Sequence, residues 1–326
     1  MSERASLLQG IQLGVETTSG TGVAANKKLQ ATSISTGIKA EVKKFRPTGS
    51  KFNTISALGK EWVEGDITGQ LSYTDWVYLA SSGLQYTAPS QQAATAAYLW
   101  ANTPSHSAVD TIKTFTVEEG GAVRAHKFAY GLVNSLGYSI TRDEATVKGK
   151  IIGQNISDAI TLTSTPTEIP IVPVLPSDIS VYMDTLYSDI GETKLLRVLK
   201  IDFDTGERFG TVWPIDAAQA SFAAHVETEP TAEFKLLLAA DAVGMGLLTS
   251  MRAGTKKFFR VEAVGETIED TYTYKWTHDI CATVTDVSPF SDEDGIYAIE
   301  WTFTATYDSD LTKAFSFSTV NKLTAL

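Results

Sequence analysis

The chain has one cysteine, Cys281, four scattered histidines and few cations. A single cysteine excludes an internal disulfide and fits a reducing compartment such as a cytoplasm. His106, His126, His225 and His278 stand far apart, and none is in metal-ligand spacing with cysteine or another histidine. They are expected as polar surface or strand residues. No apolar run reaches the roughly 18–20 residues that span a bilayer. The opening Met1-Ser2-Glu3-Arg4 lacks the basic start and apolar stretch of a signal peptide. The Gly-x-Ser-x-Gly elbow of α/β-hydrolases does not occur. Gly20 to Lys27 fails as a phosphate loop, because Ala25 stands where the second glycine belongs. The expectation is a protein that is not an enzyme and has no cofactor and no metal.

Lys and Arg number 27 against 38 Asp and Glu, a net charge of −11. Holding a nucleic-acid backbone requires cations that neutralise phosphates. An ordinary acidic protein has this balance too, but a chain this acidic is not expected to grip a nucleic-acid backbone broadly.

What the sequence does have is alternation. Ile34, Thr36, Ile38, Ala40 and Val42 fall on one side of a run whose other side carries Ser35, Lys39 and Glu41. Val63, Ile67, Leu71 and Tyr73 alternate with Glu64, Asp66, Thr68, Gln70 and Ser72, and Tyr297, Ile299, Trp301 and Phe303 with Glu300, Thr302 and Thr304. A period of two marks strands with one buried face. Helical pattern is confined to a stretch capped at Thr74-Asp75 and stopped by Gly83, and to about Ala239–Met251 before Gly254. Ser291-Asp292-Glu293-Asp294-Gly295 reads as a hairpin loop, since calcium ligands would need alternating positions and a later Glu. Cys281, between Ile280 and Ala282, is expected as a small buried apolar residue. The fold class is therefore mainly β.

Pro166, Pro170, Pro173 and Pro176 crowd the middle of the chain, where they favour extended linker structure. The division that follows is an N-terminal arm at 1–30, a first domain at 31–160, a linker at 161–178, a second domain at 179–312 and a C-terminal arm at 313–326. The Ala-, Gln- and Ser-rich stretch from Ala88 to Ala101 reads as a surface loop or marginal helix. The two halves echo each other. Ile38–Val42 lies on Leu199–Phe203, and Val63–Tyr73 on Val226–Leu236, which sets Glu64 on Glu227, Asp66 on Glu229 and Gln70 on Glu233.

Gly14 to Gly22, the tract Gly65-Asp66-Ile67-Thr68-Gly69-Gln70-Leu71-Ser72-Tyr73 and the helix that follows resemble the tail tube (major tail) proteins of long, non-contractile phage tails. The resemblance is clearest from Leu13 to Leu84. Taken with the repeat, through which alone the second half joins the resemblance, it implies a duplicated tube fold: two tandem β-sandwich or barrel domains, each flanked by a short helix. It further implies a virion protein made in the host cytoplasm, whose rings stack into a tube that conducts DNA to the host cell beside other tail proteins. With two copies of the fold per chain, the ring is expected to be a homotrimer of pseudo-hexameric form; the alternative is a homohexamer. Glu64, Asp66, Glu227, Glu229 and Glu233 are candidates for the lumen face, the alternative being outer solvent. Lys43, Lys44, Phe45, Arg46, Lys51 and Phe52 form a basic, aromatic loop, either a mobile hairpin tip or a ring-stacking element. From another class, a non-polymerising β-sandwich binding module, such as a head-decoration or adhesin domain, also fits.

Overall fold

The computed structural model describes residues 9–121, 123–154, 156–215, 220–240 and 242–326, without the side chains of 242–245. The first half builds β1 (Gly10–Val15), β2 (Lys27–Leu29), β3 (Thr32–Phe45), β4 (Ile55–Gln70), helix α1 (Asp75–Gly83), β5 (Ser90–Gln91), β6 (Tyr98–Asn102), β7 (Phe115–Gly120), β8 (Ala125–Ile140), β9 (Ala145–Gly153) and β10 (Ile156–Ile160). After β11 (Thr167–Glu168) come β12 (Ile179–Asp184), β13 (Val198–Asp204), β14 (Phe209–Val212), β15 (Ala224–Glu227), β16 (Glu233–Ala239), helix α2 (Ala242–Ala253), β17 (Lys256–Glu269), β18 (Tyr272–Val287), β19 (Ser291–Glu293), β20 (Ile296–Ala305) and β21 (Phe315–Asn321). The protein is mainly β, as period-two alternation requires.

Strand pairing follows one order in both halves. In the first, antiparallel pairs run β1–β7–β8–β9–β4–β3. In the second they run β12–β17–β18–β20–β16–β13. Each long strand, β8 and β18, carries a bulge within its pairing to β9 or β20, after Val133 and after Val284. Aligning the two bulges sets Ile151 level with Phe303, Gly65 with Phe234, and Thr36 with Phe203. The register read from the sequence therefore slides along the strand by an even number of residues. An even slide keeps every inward residue inward, so a period-two pattern cannot detect it.

Several other expectations change. Trp76 and Tyr138 of the first half pack in one hydrophobic cluster with Phe234, Trp276 and Phe317 of the second, so the halves share a core. The expected C-terminal arm contains β21, which pairs with both β18 and β6 and buries Phe315 and Phe317. The expected N-terminal arm contains β1 and β2, with β1 paired to β7; residues 1–8 of that arm lie outside the described residues. The proline-rich segment is bound to the first half, for Tyr73 donates its amide to the Val172 carbonyl and Val174 to that of Leu71. Between Ala88 and Ala101 runs part of β6, and the fully buried Trp100 donates its indole N–H to Asn321 Oδ1 at 3.1 Å.

Helix α1 starts and stops where its sequence signals place it, but Thr74 does not cap it. The Thr74 hydroxyl donates to the Pro170 carbonyl at 2.7 Å, and Asp75 Oδ2 accepts the Ala31 amide at 2.8 Å. Every residue of α1 is buried, so these polar groups tie neighbouring segments to a core helix. At the tip between β19 and β20, Asp294 and Gly295 both have positive φ, 53° and 80°. That is the two-residue hairpin geometry an Asp-Gly pair favours.

Candidate assembly surface

The side of the sheet away from the core carries charge in both signs. Glu64 and Asp66 of β4, Asp202 of β13, Glu233 of β16 and Glu300 of β20 alternate with buried neighbours along their strands. Lysines stand among them: Lys200 lies 2.6 Å and Lys148 3.8 Å from Asp202, Lys235 2.8 Å from Glu233, and Lys39 3.8 Å from Glu64. Burial opposes ionisation of Asp202, but hydrogen bonds from Lys200 and Ser139, with the charges of Lys200 and Lys148, hold its carboxyl below the usual range. Exposed pairs of this kind contribute little to stability; what they do here is cancel most of the face's charge.

Three of the five expected lumen carboxylates, Glu64, Asp66 and Glu233, therefore share one sheet face. Glu227 does not. It belongs to the separate two-stranded β14–β15 ribbon, where it binds Arg208 Nη2 at 3.0 Å and accepts the Asp110 amide at 3.1 Å. Arg208 also binds Asp110 Oδ2 at 2.7 Å, and the Arg208 and Asp110 side chains are only 3% and 1% exposed. Glu229 lies exposed between β15 and β16, off the sheet. The sequence reads 225–236 as one alternating strand, whereas the chain leaves β15 after Glu227 and enters the sheet only with β16 at Glu233.

The β3–β4 hairpin extends beyond the core. Lys43, Lys44, Phe45, Arg46, Lys51 and Phe52 are all exposed at its far end, Phe52 at 78%. Ile38, Val42 and Leu58 continue the hairpin's apolar side past the last buried residue and are about half exposed. Between this hairpin and the β14 strand opens a cleft of about 770 Å³, bordered by Trp62, Trp213, Lys60 and Glu64. Trp62 and Trp213 meet edge to face at 5.6 Å, with the Lys60 ammonium 4.8 Å from the Trp213 ring centre.

The two halves meet at a strand junction. Strand β13 pairs antiparallel with the end of β8, Ile201 opposite Ile140 and Phe203 opposite Tyr138. Thr205 then donates its amide to the Leu136 carbonyl. The approach is close: a Cβ on Gly137 would lie 2.2 Å from the Phe203 carbonyl oxygen. The strands that correspond to these, β3 and β18, each have an open edge, and β18 ends at Val287, one residue short of the position that matches Gly137. Among the described residues no strand pairs with β3 on the edge away from β4, and none lies beside β18 after Thr283 on the edge away from β20. Long unpaired edges invite pairing with another chain.

Among the described residues no group of three or more His, Cys, Asp or Glu side chains is placed to hold a metal ion, and no helix is long and apolar enough to cross a membrane. No family model and no curated protein matches this chain.

Proposed function

We propose that this chain is a structural subunit that joins copies of itself head to tail into the rings of a phage tail tube. The observation that carries this reading is the β8–β13 junction together with its two open counterparts. If β3 of one copy adds to the end of β18 in the next, as β13 adds to β8 within the chain, the sheet continues from copy to copy. Such a heterologous contact closes into a ring when the rotation allows it, and closure removes every free edge of the wall. Three chains, each with two equivalent sheets, make the pseudo-hexameric ring; six chains are the alternative.

The face bearing Glu64, Asp66, Asp202, Glu233 and Glu300 then lines the channel. Its interleaved lysines supply a wall of low net charge, over which DNA slides with neither tight binding nor strong repulsion. The protruding β3–β4 hairpin, with Phe45 and Phe52, reaches toward a neighbouring ring. This assigns the chain to the tail of a virion, beside other tail proteins.

Negative-stain microscopy of the purified protein tests the proposal: rings or tubes are expected. A monodisperse monomer at every concentration and salt would overturn it. The cleft bordered by Trp62 and Trp213 favours one second reading, a non-polymerising binding module, for which monomers with a ligand seated between those indoles are the expected result.

A further inference from the structure

The open edge of β3 is not bare within a single chain. Glu119, at the end of β7, reaches it. Its Oε2 accepts the Thr36 hydroxyl at 2.5 Å and the Thr36 backbone amide at 3.3 Å. His126, directly opposite Glu119 across the β7–β8 hairpin, places Nε2 2.7 Å from Thr36 Oγ1 and 3.1 Å from the same carboxylate oxygen. The Glu119 and His126 side chains are 15% and 25% exposed, so the cluster is largely sheltered from water.

The direction of the Thr36 amide gives this contact its meaning. Across the filled junction Thr205 donates to Leu136. Amides of an antiparallel strand alternate in direction, so Phe203, two residues back, points its amide the same way, toward β8. Thr36 occupies the place of Phe203. Its amide is therefore one that an incoming strand would use, and Glu119 already holds it.

The filled junction lacks this arrangement. There the hairpin β17–β18 sets Val261 opposite His278, where β7–β8 sets Glu119 opposite His126. Val261 is fully buried and offers no acceptor. The His278 ring lies 4.3 Å from the Phe203 ring, as His126 lies against Thr36, so the geometry repeats while the carboxylate does not. A carboxylate is present only where the edge is open.

We infer that Glu119 guards the β3 edge, occupying the Thr36 amide until a second copy of this chain displaces it. The inference rests on the ring reading above, with the end of β18 as the incoming strand. Its function is kinetic and thermodynamic restraint: unassembled subunits do not zip together at the edge, and a nucleating surface must supply what the guard withholds.

Glu119→Ala and Thr36→Val test this by measuring the critical concentration for tube or ring formation, using sedimentation and microscopy. The first removes the acceptor; the second removes the hydroxyl that holds it and leaves the backbone amide in place. The strength of one or two hydrogen bonds predicts a critical concentration about two- to tenfold below wild type for each variant. Should Glu119→Ala lose its cooperative melt, Thr36→Val alone decides. Critical concentrations equal to or above wild type overturn the guard. Failure of all three proteins to assemble at any concentration overturns the ring reading itself.

Discussion

Tyr138 and His278 meet at the centre of the protein, hydroxyl to Nδ1 at 2.8 Å, with both side chains fully buried. Tyr138 comes from β8 and His278 from β18, so this hydrogen bond joins the two halves. Phe317 stacks on the imidazole at 3.9 Å, and Phe203 packs edge-on against it at 4.3 Å. Burial, followed by the charge of Lys313, pushes the His278 pKa well below its ordinary value of 6.5. Tyr138 is pushed up, again chiefly by burial, with the charge of Asp202 adding to it. Both groups stay neutral where charge would be unsupported.

Acid should therefore destabilise the fold. Unfolded, His278 takes up a proton as the pH falls through about 6.5; folded, it does not. The unfolded state then binds more protons, so stability falls with each pH unit below that point, by up to about 1.4 kcal/mol. His225, whose pKa burial also lowers, acts in the same direction. Urea midpoints measured from pH 7.5 to pH 5 should decline, and His278→Phe should flatten part of the decline. Identical slopes for variant and wild type would disprove the assignment.

Gly137→Ala should break the junction between the halves. The added Cβ would meet the Phe203 carbonyl oxygen at 2.2 Å, a contact that forces the strands apart. Overpacking of this kind costs about 1–3 kcal/mol. Thermal melts check it, and a melting temperature equal to wild type would mean the strands shift at no cost.

Charge reversal should separate two kinds of carboxylate. Glu227→Lys sets a second cation beside the buried Arg208 and should cost about 3–5 kcal/mol. Glu64→Lys and Asp66→Lys change an exposed face and should stay within about 0.5 kcal/mol of wild type. Chemical denaturation of the three variants makes the comparison; equal losses would refute the division.

Cys281 should resist modification in the folded protein. Burial, with the charge of Asp308, raises its thiol pKa to about 11, although Lys256 opposes the shift. At pH 8 little thiolate exists and none is accessible. A thiol reagent should label the protein only after denaturant is added; rapid labelling without it would contradict the buried placement.

Phe317→Ala tests whether the C-terminal segment is part of the core. Removing a fully buried aromatic should cost about 3–5 kcal/mol. A loss below about 0.5 kcal/mol, as at an exposed position, would restore the arm expected from the sequence.

Local features were legible in the sequence because their causes are local. Alternation placed Ile299, Trp301 and Phe303 on one buried side of β20, and Asp294-Gly295 marked a tight hairpin through its tolerance of positive φ. The α1 helix was readable through Thr74 and Gly83, even though Thr74 spends its hydroxyl on Pro170 rather than on the helix. The alternation of Phe315 and Phe317 with Ser316 and Ser318 was equally visible, yet nothing local to those residues said that β18 and β6 would receive them.

By itself the sequence determined the class and the strand faces, since each follows from residue type at a period of two. Only the tertiary structure decided register and closure. It separated Glu233, on the sheet, from Glu227, bound to Arg208, and it paired β13 with β8 while leaving β3 to Glu119. The physical reason is that strand pairing is long-range and its side-chain period is short. A pattern that repeats every two residues fits several registers equally well, and only the bulges, the close approach at Gly137 and the packing around His278 select one.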